Sequence, residues 1–596
     1  MTPRTGADTG AVERPVGIGT NAPPAFGSDV IADTLRALGI EYIALNPGAS
    51  YRGLHDSIVN YLGNKMPQML LCLHEEVAVA IAHGYARVTG RAMAAAVHSN
   101  VGLLHASMSI FDAWCNRSPV LVLGATGPVD AAKRRPWIDW IHTSADQGAI
   151  VRDFTKWDDQ PSSPAAAREA LARAAWMANS LPKGPVYVNF DAELQEMKLP
   201  EPLPPFDVAQ YTPPVMTGIS PAALSALAAD LKQARHPLVF FGRGSRSLEA
   251  WNRRVALVET LDAQAATRLN QAAVFPTGHP AHVGNPVSIG PGPELMEAMR
   301  AADVMLCLDW VDIGGMFRAL GAPPKARIVT VTLDHTIHRG WNKDYQALAP
   351  ASTYIAADPD AIVEALLGEL AGHVPARPKL RRNPPPAVSP LPRDKLYGPH
   401  IPELLRAATR GRDVCLTYLT ISWDSARWPL HHPLDYTGNS EGGAIGAGPG
   451  VSVGVALALK GSGRLPVAVL GDGDFLMGVT AIWTAVHYRI PLLVLVANNR
   501  SFYNDEVHQE RVARMRQRPV ENKWIGQRIS DPEIDVAALA RAQGARAFGP
   551  IESVEALERI LPEAIAAVDN GEVSVVDVRI EPGYLEEVSA AMMRKV

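Results

Sequence analysis

The sequence predicts an α/β fold of three Rossmann-like domains, each a parallel β-sheet flanked by helices. From residue 26 onward, short apolar runs alternate with amphipathic helical stretches, which is the pattern of βαβ units. Two proline-rich stretches without hydrophobic periodicity, near 195–216 and 375–392, interrupt this alternation. At 596 residues the chain is several times the size of an ordinary domain, so more than one hydrophobic core is expected.

The expected domain boundaries follow the proline-rich stretches. Before the first domain, residues rich in Thr, Gly and Pro are expected to form a flexible arm. The expected division of the chain is an arm at 1–25, a first domain at 26–195, a linker at 196–216, a central domain at 217–374, a second linker at 375–395 and a third domain at 396–596.

Composition restricts the partners. A net charge of -5 lacks the basic surplus that a nucleic-acid backbone requires, so small molecules are the expected ligands. No apolar run reaches the ~18 residues of a membrane span, and the first residues lack the apolar core of a secretion signal. We therefore expect a cytoplasmic protein without a membrane partner. The four cysteines form no CxxC pair, which argues against a zinc site.

A Gly471-Asp472-Gly473 sequence and Asn499 mark the ends of two successive predicted strands. Carboxyl ends of parallel strands meet at one edge of a sheet, so Asp472 and Asn499 are expected to face a single ion. Carboxylate and amide oxygens suit Mg²⁺, and the glycines let backbone amides approach a diphosphate. Each fragment alone is more often a turn or a strand-end cap, but the combination favours an ion site.

This spacing resembles the signature of thiamine diphosphate enzymes, Gly-Asp-Gly followed after a helix by Asn-Asn. The resemblance implies that Asp472, the Asn499 side chain and the Ser501 carbonyl hold Mg²⁺. It also implies that the segment containing Gly471, Gly473 and Asp474 binds the cofactor, and that the first and third domains have the thiamine diphosphate-binding fold.

Two further segments resemble the same enzymes. HEEVAVAIAHGYAR (74–87) matches a segment whose glutamate hydrogen-bonds the aminopyrimidine, which implies that Glu75 is the cofactor's proton-relay carboxylate; alone, Glu75 would be a helix-start acid that complements the macrodipole. GGAIGAGPG (442–450) places Ile445 where an aliphatic residue bends the cofactor, with a plain core role as the alternative. Glu75 and Asp472 lie in different domains, and the resemblance implies a homodimer or homotetramer with sites at subunit interfaces.

Three segments, LNPGAS, VHSNVG and AIWTAVHYRIP, resemble benzoylformate decarboxylase and imply that His98 relays protons. A strand-end histidine bonded to backbone groups is the alternative for His98. Ala49 stands where the decarboxylase has a carboxylate-binding serine, with Ser50 one place later, which weakens the case for a 2-oxo acid. The decarboxylase's second histidine falls near Trp310, so the acid–base set is expected to differ.

The expected function is a thiamine diphosphate- and Mg²⁺-dependent C–C lyase or carboligase acting on a small carbonyl substrate, most simply a 2-oxo acid decarboxylase. An acetolactate synthase-type carboligase and a 2-hydroxyacyl-CoA lyase are the alternatives within the resemblance. FAD or ADP in the central domain, beside the turn at 241–244, is left undecided. A dinucleotide-dependent oxidoreductase, suggested by Gly446-x-Gly448-x-Gly450, is disfavoured because no clear strand precedes these glycines.

Overall fold

The computed structural model describes residues 13–16, 23–214, 218–287, 290–322, 324–334, 349–375 and 388–593. Within them the predicted fold class is confirmed, because the chain forms three parallel sheets with helices packed on them. Most of the predicted arm and of the second predicted linker lies outside the described residues. No helix among the described residues is long and apolar enough to span a membrane.

The first sheet brings the loops after two of its strands to one crevice. Its strands are β1 (Tyr42–Leu45), β2 (Gln68–Leu71), β3 (Met93–Val97), β4 (Val120–Thr126), β5 (Asp158–Asp159) and β6 (Val186–Asp191). Its helices are α1 (Gly27–Ala37), α2 (Arg52–Asp56), α3 (Glu75–Thr89), α4 (Ser99–Cys115), α5 (Pro164–Asn179) and α6 (Ala192–Glu196). The strand order is β2-β1-β3-β4-β6-β5. β2 is added on one side of β1, and β3 is added on the other side. The position between β1 and β3 is therefore the point at which the strand order reverses, where ligands usually bind in such sheets.

The second sheet has the order β11-β10-β9-β7-β8 and belongs to the middle of the chain. These strands are β7 (Pro237–Phe241), β8 (Gln264–Ala266), β9 (Val304–Leu308), β10 (Arg327–Val331) and β11 (Thr353–Ile355). The accompanying helices are α7 (Pro221–Gln233), α8 (Leu248–Thr260), α9 (Pro293–Ala301), α10 (Ile313–Ala319) and α11 (Pro359–Glu369).

The third sheet carries the Gly-Asp-Gly sequence. Its strands are β12 (Val414–Tyr418), β13 (Leu465–Gly471), β14 (Leu492–Asn498), β15 (Arg546–Ile551) and β16 (Val573–Arg579), in the order β12-β13-β14-β16-β15. Its helices are α12 (His400–Ala408), α13 (Ala447–Leu459), α14 (Asp472–Gly478), α15 (Thr480–His487), α16 (Tyr503–Met515), α17 (Val536–Ala542), α18 (Val554–Asp569) and α19 (Glu586–Met593). β13 and β14 are neighbours, so Asp472 and Asn499 follow adjacent strand ends.

Two helices join the first and third sheets through direct backbone contact. A β-carbon on Gly84 of α3 would lie 2.0 Å from the carbonyl oxygen of Val451, and one on Gly454 of α13 would lie 2.0 Å from that of Ile81. Only glycine allows this approach. Buried side chains of both helices belong to one hydrophobic cluster that extends across the two sheets.

Two local features near the first sheet position the site. α4 begins at Ser99, directly after β3, and His98 is its N-cap. Gln195 lies inside α6 and is buried; its amide accepts from the Leu54 N–H and donates to the Ser50 carbonyl.

The α3–α13 contact predicts the effect of a small substitution. Gly454→Ala is expected to lower stability by about 1–3 kcal/mol and the thermal midpoint by several degrees, because the added methyl group meets a helix backbone that cannot move aside. Circular dichroism melting measures this. Gly368→Ala is the matched control, because α11 leaves open space there, and it should be neutral or slightly stabilising. A midpoint for Gly454→Ala equal to that of the native protein would contradict this view of the contact.

Candidate active site

The third sheet brings Asp472 and Asn499 to one point. Asp472 is 4% exposed at the start of α14, and its Oδ2 accepts the Ser501 N–H at 3.1 Å. Asn499 Oδ1 accepts the same N–H at 3.0 Å. The two side-chain oxygens therefore converge beside Ser501, as the sequence predicted for an ion site.

The buried Asp472 carboxylate has no cationic side chain paired with it among the described residues. Burial raises its pKa to about 6, although N–H groups of Gly473 and Ser501 act in the opposite direction. Because an unpaired buried carboxylate is costly, a cation here would remove a real penalty. The donor set of carboxylate and amide oxygens therefore fits Mg²⁺.

The two glycines around Asp472 have different surroundings. A β-carbon on Gly473 would lie 2.5 Å from the Phe502 ring, so this glycine is required for packing. A β-carbon on Gly471 would meet nothing within 4 Å. The open side of Gly471, next to the N-terminus of α14, leaves room for an anionic group such as a diphosphate.

Asp474 supports the segment that carries Ile445. Its Oδ1 accepts the N–H groups of Gly446 at 2.6 Å and Gly448 at 3.3 Å. Burial raises the pKa of Asp474 to about 6. Gly446 has a φ of 100° and starts α13 without a preceding strand, which does not match a dinucleotide-binding turn. Ile445 is 49% exposed, so the plain core alternative is wrong.

Glu75 is the first residue of α3 and is 6% exposed. His105 Nδ1 is hydrogen-bonded to Glu75 Oε2 at 3.2 Å. A β-carbon on Gly102 would lie 3.0 Å from Glu75 Oε1, so a glycine gives the carboxylate its room. The neighbouring Glu76 is more exposed, and burial together with Asp112 raises its pKa.

His98 lies at the crevice of the first sheet, and its hydrogen-bond partner is a side chain and not a backbone group. Its Nδ1 is hydrogen-bonded to Ser50 Oγ at 2.9 Å, and Ser50 Oγ also accepts the Ser99 N–H at 3.2 Å. The His142 ring centroid lies 4.6 Å from that of His98. Burial, and then the neighbouring His142, lower the pKa of His98, while Glu75 opposes the shift.

Three of these neighbours were missed or undervalued from sequence. The sequence shows Ser50 only as a serine displaced by one position, whereas in the structure its hydroxyl lies against His98. His105 lies one helical turn after Gly102 and could have been found from the i,i+3 spacing on α4. His142 has no local motif, because only the fold brings its loop to His98.

The central sheet has a tryptophan, Trp310, near the position of the second histidine of benzoylformate decarboxylase. Trp310 is buried, with its ring 5.1 Å from that of Phe240. The carboxylate of the preceding Asp309 forms an ion pair with Arg243.

The glycine turn of the central sheet does not fit a nucleotide phosphate. A β-carbon on Gly242 would lie 1.9 Å from the Asp309 carbonyl oxygen, and one on Gly244 would lie 3.0 Å from the Arg254 guanidinium. Both glycines therefore face protein. A cavity of about 760 Å³ beside this turn is lined by cations and carboxylates, among which Arg117 and Arg243 are already paired with Asp334. We assign neither FAD nor ADP to it.

Comparison with known proteins defines the class to which this fold and site belong. The N-terminal thiamine pyrophosphate (thiamine diphosphate) binding domain of thiamine pyrophosphate enzymes matches residues 26–150, the central domain matches 224–366, and the C-terminal binding domain matches 421–578. The chain belongs to the thiamine pyrophosphate enzyme family.

Individual relatives are decarboxylases and synthases. Benzoylformate decarboxylase of Pseudomonas aeruginosa is 25% identical over 86% of this chain and 92% of its own length. The acetolactate synthase large subunit of Haemophilus influenzae is 24% identical over 79% of this chain and 82% of its own. The solved structure of a thiamine diphosphate-dependent 4-hydroxybenzoylformate decarboxylase from Rhodococcus jostii matches 94% of this chain and 100% of its own, with a TM-score of 0.76 and 22% identity. That structure shares the fold.

The raised pKa of Asp472 predicts a pH-dependent effect on stability. Ionised Asp472 destabilises the metal-free fold above pH 6, and the cost disappears below about pH 4, where the group is protonated in both the folded and unfolded states. Asp472→Asn should therefore stabilise the metal-free protein at pH 8 by on the order of 1–3 kcal/mol, with less gain as the pH falls to 4. Melting curves across this range measure the effect.

The same variant should lose the response to ligand. Mg²⁺ with thiamine diphosphate should raise the thermal midpoint of the native protein but not that of Asp472→Asn. Asp505→Asn, an exposed aspartate on α16, is the control and should behave like the native protein. An undiminished ligand response in Asp472→Asn would refute the assigned ion site.

Proposed function

We propose that this chain is a Mg²⁺-dependent lyase that uses thiamine diphosphate to break a carbon–carbon bond next to a carbonyl group, with 2-oxo acid decarboxylation as the leading reaction. The observation that carries the proposal is the buried Asp472 carboxylate, which converges with Asn499 beside the open side of Gly471. The second buried carboxylate, Glu75, supplies the other group that such a cofactor needs.

Each residue then has a defined role at the diphosphate end. Asp472, the Asn499 side chain and the Ser501 carbonyl would hold Mg²⁺, and the backbone at Gly471 and Gly473 would face the diphosphate. Ile445 would support the cofactor from its exposed position, and Asp474 fixes the backbone that directly follows it.

At the pyrimidine end of the site, two side chains would donate and accept protons. Glu75 would hydrogen-bond the pyrimidine ring of the cofactor and hold a proton for it, and His98 would transfer protons at the substrate. The bound cofactor supplies the electron sink for bond cleavage.

The substrate class rests on His98 and its neighbour. The relative from Pseudomonas aeruginosa is named a benzoylformate decarboxylase, and Ser50 gives this chain a hydroxyl beside His98 despite Ala49. A carboligase is the second candidate, supported by the relative from Haemophilus influenzae that is named an acetolactate synthase subunit. The two differ in whether the product is a free aldehyde or a new carbon–carbon bond.

A homodimer is proposed as the smallest active unit, because one chain separates the two ends of the site. Glu75 lies beside Gly102 on α4, whereas the turn before Ile445 lies beside Asp112, where a β-carbon on Gly442 would be 3.0 Å from the Asp112 Cα. Gly102 and Asp112 are separated along α4 by roughly 15 Å at the usual helical rise. This separation between the neighbour of Glu75 and the neighbour of the turn at Gly442 supports the proposal that a second chain supplies one end of the site.

The surface around Glu75 supports the same proposal. Val101, Leu104 and Met108 are exposed at i, i+3 and i+7 on α4, and Leu73 is exposed next to α3. A continuous apolar stripe on an otherwise folded protein is typical of a subunit interface.

Disrupting this stripe should separate subunits and release cofactor. Leu104→Asp is expected to shift the protein toward monomer and to abolish retention of thiamine diphosphate, because it buries a charge at the proposed interface. Light scattering after gel filtration, with cofactor quantified in each peak, measures both. Leu248→Asp is the matched control, since Leu248 has similar exposure on α8 of the central sheet. An unchanged oligomer with bound cofactor would remove this stripe from the interface.

The function is tested by product analysis with a Glu75 variant. Native protein loaded with Mg²⁺ and thiamine diphosphate is assayed against aromatic and aliphatic 2-oxo acids, 2-hydroxy ketones and 2-hydroxyacyl-CoA thioesters. Release of CO₂ and an aldehyde from a 2-oxo acid is expected. Glu75→Gln should keep the cofactor and lose about 100-fold or more in turnover, since it cannot exchange a proton; Glu76→Gln should lose far less. Near-native rates in Glu75→Gln, or no cofactor-dependent turnover of any substrate, would refute the proposal.

A further inference from the structure

We propose that His142 is a second catalytic imidazole, which shares proton transfer at the substrate with His98. This inference rests on the proposed lyase function and assigns a residue to a step that His98 alone leaves incomplete. Both histidines would come from loops of the first sheet, with no histidine contributed by the central domain at the position of Trp310.

The proposed reaction needs two proton-transfer groups. A 2-oxo acid anion and one proton give an aldehyde and CO₂. One group must donate a proton to the carbonyl oxygen during addition and take it back when the aldehyde carbonyl re-forms. A different proton must reach the carbon that has lost CO₂, and solvent replaces it. One imidazole cannot hold both protons at once, so a pair of groups suits this sequence.

The structure places His142 where such a partner would act. Its ring lies 4.6 Å from that of His98 at an angle of 58°, and both residues are partly exposed. The His142 carbonyl accepts the Gly127 N–H at 3.0 Å, which anchors the loop at the end of β4. His98 follows β3, the neighbour of β4, so both imidazoles lie at one edge of the sheet.

The hydrogen bond to Ser50 occupies the Nδ1 atom of His98 and leaves its Nε2 atom for proton transfer. Its Nδ1 is engaged by Ser50 Oγ, and a β-carbon on Gly48 would lie 2.3 Å from the His98 Cβ, so the backbone of the first loop holds the ring in place. The Nε2 atom then faces away from Ser50. An imidazole fixed in this way can transfer protons at Nε2 without changing its position.

The charged groups around His98 are few. The titratable or charged groups that act on it are His142, Glu75 and Arg135. Arg135 is bound by both carboxylate oxygens of the buried Asp139, which offsets its charge. A positive charge on one of two adjacent imidazoles disfavours a positive charge on the other. The second ring therefore stays available to accept a proton while the first donates one.

The first experiment compares His142→Asn and His142→Gln with native enzyme on the 2-oxo acid that native enzyme turns over. We expect kcat to fall about 100-fold or more with KM changed only a few-fold, and the pH dependence of kcat/KM to lose one limb. His236→Asn, an exposed histidine before β7, is the control and should match native enzyme. Thermal midpoint and cofactor content establish that each variant is folded and loaded.

The second experiment does not depend on turnover. The titration midpoint of the His98 ring, followed by NMR with selective histidine labelling, should rise in His142→Asn because a neighbouring positive charge has been removed. If His142 had only a structural role, the His142→Asn substitution would not change both the titration midpoint of His98 and the pH dependence of kcat/KM.

The outcomes separate this inference from the proposed function. If native enzyme turns over a 2-oxo acid but both variants keep kcat within about threefold and the native pH profile, the inference fails and the function stands. An unchanged His98 midpoint in the variant also overturns the inference. If native enzyme has no cofactor-dependent activity, the proposed function fails and the inference fails with it.

Discussion

Direct backbone contact between α3 and α13 is the constraint on which the candidate site depends. Gly84 and Gly454 allow the two helices to approach so closely that a methyl group on either would overlap a carbonyl oxygen. α3 begins at Glu75, and α13 begins directly after the turn that exposes Ile445. The contact therefore fixes, within one chain, the starting points of two helices, one carrying the Glu75 end of one proposed site and the other carrying the Ile445 end of a second.

A second set of interactions connects this helix pair to the ion site. Asp474 accepts hydrogen bonds from Gly446 and Gly448, and it lies two residues after Asp472 on α14. The turn before α13 and the strand end of β13 are thus held by one buried carboxylate. Since proton transfer and metal binding tolerate only small errors in position, this rigidity suits the proposed chemistry.

Much of the fold follows from local patterns in the sequence, but the contacts between loops do not. β7, β9 and β12 follow the apolar runs that the alternating pattern contains, because a buried parallel strand is a continuous apolar run. The approach of Asp472 to Asn499 also followed from the sheet rule. In contrast, the contacts of His98 with Ser50 and His142 join loops after three different strands, and no local periodicity encodes them. The exposed position of Ile445 could not be predicted either, because an isoleucine is more often buried.

The central claim is that two chains hold one cofactor, each contributing one end of the site. The most direct measurement mixes inactive Glu75→Gln and Asp472→Ala proteins under conditions that exchange subunits, and then assays cofactor-dependent turnover. In a hybrid dimer one site would carry both substitutions and the other would be native, so activity should recover to about a quarter of the native value at equal mixing. No recovery, despite hybrids detected by mass spectrometry, would contradict the account, because each site would then lie within a single chain.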